Sequence, residues 1–253
     1  MAYREKRIYS GDYFEAEIYQ VPESETRKPR KIKEHVSSPT QKNLNNKNSI
    51  KYLIRVINTN FTDNDIHLTL TYDPKNYPLS EEEAKKDMRN FIRRVQRYCK
   101  KHNLSSPKYI YIFEYKDPTK YKKGIRMHHH VIISGHIGRD ELEKIWKKGR
   151  ANAKRLQADE FGYEGLARYV SKNPKGSKKY IPSRNLEKPT IKVNDHKYSK
   201  RKVEKLARTP EDRKVFEELY KGYTFTQCEV AYNDLTGTSL YIKMRTYKKE
   251  GLD

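Results

Sequence analysis

Arg126-Met-His-His-His-Val-Ile-Ile-Ser134 is an apolar, β-branched run with three imidazoles inside it. Read as a strand, it sends successive side chains to opposite faces. His128 and His130 therefore share one face, and His129 points with Val131 and Ile133 to the other. Two imidazoles side by side repel when charged, but as neutral groups they make good ligands for a divalent metal. Short histidine runs also arise by chance on solvated strands, so this stretch needs support from its neighbours.

The nearest support lies upstream. Lys108 to Tyr115 reads KYIYIFEY, a β-branched and aromatic run in which Ile110, Ile112 and Glu114 share a face opposite Tyr109, Tyr111, Phe113 and Tyr115. The polar segment Asp117-Pro118 to Gly124 turns the chain back. A hairpin folded about Tyr121–Lys122 sets Glu114 opposite residues 129–130, in reach of both imidazoles. Alone, Glu114 is most simply a cross-strand partner for a lysine or arginine. Beside His128 and His130 it becomes the third ligand. Two imidazoles and a carboxylate leave positions open for water or a phosphate oxygen, and suit Mn²⁺ or Mg²⁺, with Zn²⁺ as a further option. A closed structural zinc site does not fit, because Cys99 and Cys228 are lone and far apart.

A nucleophile candidate follows in Gly162-Tyr-Glu-Gly-Leu-Ala-Arg-Tyr-Val-Ser-Lys172. Glu164 to Lys172 has the pattern of a short helix that breaks at Asn173-Pro174, with Tyr169 and Lys172 three apart on one face. A tyrosine can attack phosphorus while a neighbouring ammonium offsets transition-state charge. With 21 tyrosines and 55 lysines and arginines in the chain, such a pair is weak evidence by itself.

Taken in order, Glu114, the His128-x-His130 strand and the Tyr169-x-x-Lys172 helix resemble the HUH endonucleases, in particular the single-tyrosine rolling-circle replication initiators of small bacterial plasmids, phages and integrated elements. That family's first motif, a strand alternating apolar and hydroxyl residues, is similar to His67-Leu-Thr-Leu-Thr-Tyr-Asp-Pro74. The middle of its His-hydrophobic-His signature is a histidine here, His129. The resemblance spans roughly residues 60 to 185. It implies a nick in single-stranded DNA or an origin hairpin: Tyr169 keeps the 5′ end as a phosphotyrosine, and the free 3′-OH primes a host polymerase. No Gly-x-x-x-x-Gly-Lys-[Ser/Thr] loop occurs, so unwinding is expected from a host helicase. Relaxases and single-tyrosine transposases share this chemistry and differ in DNA substrate.

Composition agrees with a nucleic-acid partner. The net charge is +22, from 55 basic against 33 acidic residues, and such a field favours a polyanion. Basic residues concentrate after the tyrosine helix, at Lys172, Lys175, Lys178, Lys179 and Arg184, and again between Lys197 and Arg208. Lys175, Lys178 and Lys179, with Arg126 at the head of the histidine strand and Thr69 and Thr71 beside it, are the candidate DNA contacts. No stretch is apolar enough to span a bilayer, the N-terminus lacks a signal-peptide core, and two lone cysteines fit a reducing cytoplasm.

Residues 7–21 read as a strand, and 22–48 as a Pro-, Ser-, Lys- and Asn-rich basic linker. Ile50, Leu53, Ile54 and Ile57 mark a helix face. A strand at 65–72 precedes the capping box Ser80-Glu-Glu-Glu83, which opens a helix with Ala84, Met88, Phe91, Ile92, Val95 and Tyr98 facing the core. After strands at 108–115 and 126–134 come a helix near 140–148, a strand near 151–157 and the tyrosine helix. The order β-α-β-β-α-β-α begins as a ferredoxin-like (RRM-like) α+β plan, in which the first and third strands are central neighbours. That plan alone sets Thr69 and Thr71 beside the histidines. It is also the scaffold of non-catalytic RNA-binding modules, in which the Tyr109/Tyr111/Phe113/Tyr115 face would stack bases. The expected division is an N-terminal strand at 1–21, a linker at 22–48, an endonuclease domain at 49–185 and a basic extension at 186–253. The extension holds a helix behind Thr209-Pro-Glu-Asp212 and a hairpin, 223–232 with 240–247, to which the N-terminal strand is expected to add as a small β unit.

Overall fold

A computed structural model describes residues 2–21, 38–117, 123–172, 179–234 and 236–247. The elements in chain order are β1 (Ala2–Ser10), β2 (Tyr13–Val21), α1 (Pro39–Asn60), β3 (Ile66–Thr71), α2 (Glu81–Lys101), β4 (Tyr109–Lys116), β5 (Ile125–Ile133), α3 (Arg139–Trp146), β6 (Ala151–Arg155), α4 (Glu164–Val170), β7 (Ile181–Pro182), β8 (Thr190–Tyr198), α5 (Lys200–Arg208), α6 (Arg213–Leu219), β9 (Tyr223–Asn233) and β10 (Gly237–Thr246). They form an α+β fold of two compact units, each built on a five-stranded antiparallel sheet. No helix among the described residues is long and apolar enough to cross a membrane.

The first sheet, in residues 60–159 and 163–187, has strand order β6-β3-β5-β4-β7. Its first four strands follow the ferredoxin-like order, with β3 and β5 paired in the centre. Alternation sorts its two faces. Leu68, Leu70, Tyr111, Phe113 and Val131 pack against Met88, Phe91 and Val95 of α2 and Trp146 of α3 in one core. His67, Thr69 and Thr71 project from the other face. Helix α2 starts where the capping box places it: Ser80 Oγ accepts from Glu83 N, and Leu79 N donates to the Glu83 carboxylate. Buried in this core, Tyr111 and Phe113 are unavailable to stack bases, which removes the RNA-module reading.

The second unit comprises residues 1–59, 160–162 and 188–253, with strand order β8-β1-β2-β10-β9. It is larger than the small β unit expected, and has its own core from Phe14, Ile18, Leu240, Ile242, Val203 and Phe216. Four features differ from the sequence reading. Residues 2–21 form a hairpin rather than one strand, with Ser10 opposite Tyr13 and Gly11 at φ 61°, as the first loop position of a tight turn requires. The helix expected near 50–57 begins at Pro39, inside the presumed linker, and residues 22–37 lie outside the described ones. The boundary expected at residue 49 falls instead at 60, because α1 goes with the second unit. Strand β8 stands where the basic sequence suggests a loop. It is an edge strand with Ile191 and Val193 exposed, so it lacks the half-buried alternation that reveals a strand.

Candidate metal and DNA-nicking site

Strand β5 lies between β3 and β4, and its register sets the site. His128 pairs with Thr71 and Glu114, and His130 with Thr69 and Ile112. Glu114 thus faces His128 rather than the 129–130 position expected. A one-residue irregularity between Glu114 and Lys116 shifts the ladder, and only chain geometry could reveal it. Directly paired residues share a face, so Glu114, His128 and His130 converge.

The Glu114 carboxylate lies 3.1 Å from His128 Nε2 and 3.3 Å from His130 Nε2, and the two imidazole nitrogens are 3.2 Å apart. Octahedral bonds of about 2.1 Å place adjacent ligand atoms about 3.0 Å apart, so these three atoms fit one divalent ion. Glu114 and His130 are buried, whereas His128 is half-buried. The far side of each ring is fixed. His128 Nδ1 is 2.8 Å from the Arg126 carbonyl, which can only accept, so the proton sits on Nδ1 and the neutral ring turns its Nε2 lone pair to the cluster. His130 Nδ1 is 3.2 Å from His67 Nε2 and 3.5 Å from Thr69 Oγ1.

Electrostatics separates the imidazoles. Burial disfavours the charged form of His128, yet the Glu114 carboxylate and the Arg126 carbonyl together raise its pKa. His67 is pushed down to about 4 by burial and by His130. His129, on the core face, donates to or accepts from Tyr72 Oη at 3.0 Å and is pushed down to about 3 by burial. It stays neutral and belongs to the core, as strand alternation predicts.

Tyr169 projects from α4 with its ring edge-on to His130, centroids 5.4 Å apart, and is 61% exposed. A large exposed aromatic beside a ligand cluster is unusual packing and suits a nucleophile awaiting its substrate. Ala167 and Val170 anchor the other side of this short helix. Lys172 lies just past the helix end, exposed, three residues on from Tyr169. Thr69 and Thr71 line a cavity of about 590 Å³ with His67, Arg150, Asn152, Lys154 and Tyr169. Gly149 lets β6 approach: a side chain there would meet the Thr71 carbonyl and Asp73 N at 2.5 Å. Arg126 is exposed, with its guanidinium 5.0 Å from the Tyr77 ring centroid. Lys179 is half-buried, and burial lowers its pKa. Lys175 and Lys178 lie outside the described residues.

Sequence reading misses His67, Arg150, Asn152 and Lys154. His67 carries a usable signal, since it is two residues before Thr69 on the same face. The other three depend on the pairing of β6 with β3, where Thr69 meets Asn152 and His67 meets Lys154.

Residues 65–174 match the family model of the replication-associated protein ORF2. No curated protein and no solved structure matches the chain. The matched segment runs from β3 through α4 and contains every residue of the cluster, Tyr169 and Lys172. The region that builds the Glu-His-His cluster is that of a replication-associated protein of the ORF2 family.

Proposed function

We propose that this protein initiates rolling-circle replication by nicking single-stranded DNA, or an origin hairpin, through tyrosine attack on a phosphodiester. The observation that carries the reading is the exposed Tyr169 edge-on to His130, beside three convergent ligand atoms. Glu114, His128 and His130 are the residues to hold Mn²⁺ or Mg²⁺, which supplies Lewis-acid polarisation of a phosphate oxygen. The chain's own groups do the rest. Arg150 and Lys154 in the cavity wall attract backbone phosphates, and Thr69 and Thr71 offer hydroxyls to the strand. Tyr169 Oη attacks in line: the Oη–P bond forms, the P–O3′ bond breaks, the phenol proton passes to water, and the departing oxygen takes up a proton as a 3′-OH. Lys172 offsets charge on the phosphoryl oxygens. The 5′-phosphotyrosine retains the bond energy, so a later 3′-OH can reverse the step and rejoin the ends. A host polymerase extends the 3′-OH and a host helicase unwinds ahead of it, in the cytoplasm of a bacterial cell.

The test is to incubate the protein with labelled single-stranded oligonucleotides from its genetic neighbourhood, with Mn²⁺ and with chelator. A metal-dependent covalent adduct, absent in Tyr169→Phe, is expected. Normal cleavage by Tyr169→Phe, or no nick with metal present, refutes the proposal. An origin substrate, rather than a transfer origin or a transposon end, separates initiation from mobilisation and transposition.

A further inference from the structure

The two histidine ligands are anchored differently on their outer sides. For His128 the anchor is the Arg126 carbonyl at 2.8 Å, a group that can only accept. For His130 it is another side chain. His67 Nε2 lies 3.2 Å from His130 Nδ1, the rings are 5.3 Å apart and within 26° of parallel, and His67 takes no part in the convergent donor set. Thr69, directly across the ladder from His130, reaches Nδ1 only at 3.5 Å, the limit of a hydrogen bond. His67 arrives diagonally from its place opposite Ile132 and supplies the nearer acceptor.

We infer that His67 is a positioning residue for His130: its Nε2 accepts the Nδ1–H of His130, which fixes the tautomer and ring angle that turn the His130 Nε2 lone pair towards Glu114 and His128. The inference rests on the metal reading above. The partner on a ligating imidazole's outer nitrogen sets its basicity and orientation, and losing that partner typically weakens metal affinity about 10–100-fold. His67 acts through His130. It is part of the cavity wall and lies 6.5 Å, centroid to centroid, from the Tyr169 ring, so a purely packing role has to be distinguished from an accepting one.

Titration calorimetry with Mn²⁺ at neutral pH on the wild type, His67→Phe, His67→Leu and His67→Gln makes that distinction, with melting in chelator as the check on folding. The Phe and Leu variants, of different shape but both lacking an acceptor, are expected to bind Mn²⁺ about 10–100-fold more weakly. The Gln variant, whose amide oxygen can accept, is expected to recover most of the affinity. Wild-type affinity in either folded apolar variant overturns the inference, and so does an equal loss in the Gln variant, which would make shape the cause. If the wild type itself binds no divalent cation, the metal reading fails first. A wild type that binds beside an unaffected His67→Phe fails only the positioning role.

Discussion

Glu114 and Glu5 are buried carboxylates on strands of two different sheets, and their neighbours give them opposite jobs. Glu5 is fully buried and takes hydrogen bonds from Tyr220 Oη at 2.7 Å, Lys197 Nζ at 3.0 Å and Arg7 Nε at 2.7 Å. Although burial opposes its charge, these donors lower its pKa. Such a network is architecture, its charge matched by fixed cations and a phenol. Glu114 instead meets two imidazoles whose outer nitrogens are anchored elsewhere, so their inner lone pairs and its oxygen point at one another. Acceptors that converge in this way are stabilised by a cation. The second unit repeats the architectural pattern at Arg55, which binds Glu15 at 2.9 Å and Glu17 at 2.7 Å.

Matched substitutions test this contrast most strongly. Glu114→Gln keeps the shape but loses the anionic ligand. Mn²⁺ affinity should fall about a hundredfold or more, with melting in chelator unchanged or raised. Glu5→Gln should do the reverse, leaving Mn²⁺ affinity intact and destabilising its unit by about 3 kcal/mol as Lys197 and Arg7 lose their counter-charge. If both variants lose stability and neither loses metal, the contrast collapses.

Acid should next separate the units. His67 and His129 have folded pKa values below the unfolded one, so between about pH 6.5 and 4 the unfolded chain binds protons that the folded chain refuses. Stability of the first unit should fall across that window by on the order of a few kcal/mol, with a smaller further loss towards pH 3. The depressed carboxylates Glu5 and Glu17 contribute stability that is present above about pH 4.5 and is lost only as the pH falls through their lower folded values. Hydrogen exchange at pH 7 and pH 5, compared between β5 and β1, reads this directly, and equal loss of protection in both strands contradicts it.

The smallest effect is expected at the capping box. Ser80→Ala removes the acceptor for Glu83 N and should cost about 1 kcal/mol in a denaturant melt, without changing Mn²⁺ affinity. A change in affinity would mean that α2 does more than cover the core face.

Much of the first unit is legible from local pattern. Alternation along HLTLT, YIYIFE and MHHHVII assigns every side chain to the core face or the site face, and the Ser80 box starts the covering helix where it is found. The second unit is far less legible. Gly11-Asp12 is a turn signal hidden inside an apparently continuous strand, and β8 is an edge strand whose apolar residues stay exposed. Both belong to a sheet assembled from the two ends of the chain, as β1 pairs with β8 and β2 with β10. Such long-range pairing leaves no local period to read.

That His128 and His130 share a face, with Glu114 in reach, follows from the chain alone, because side-chain period and hairpin connectivity are local properties of a strand. The same local rules put Tyr169 on a short helix ahead of a basic stretch. Other contacts exist only once the sheet has assembled. A ladder irregularity after Glu114 sets it against His128, the pairing of β3 with β5 brings His67 to the back of His130, and β6 adds Arg150 and Lys154 to the cavity wall. Those contacts depend on register between strands distant in sequence, which is fixed by the packing of the whole sheet on its core.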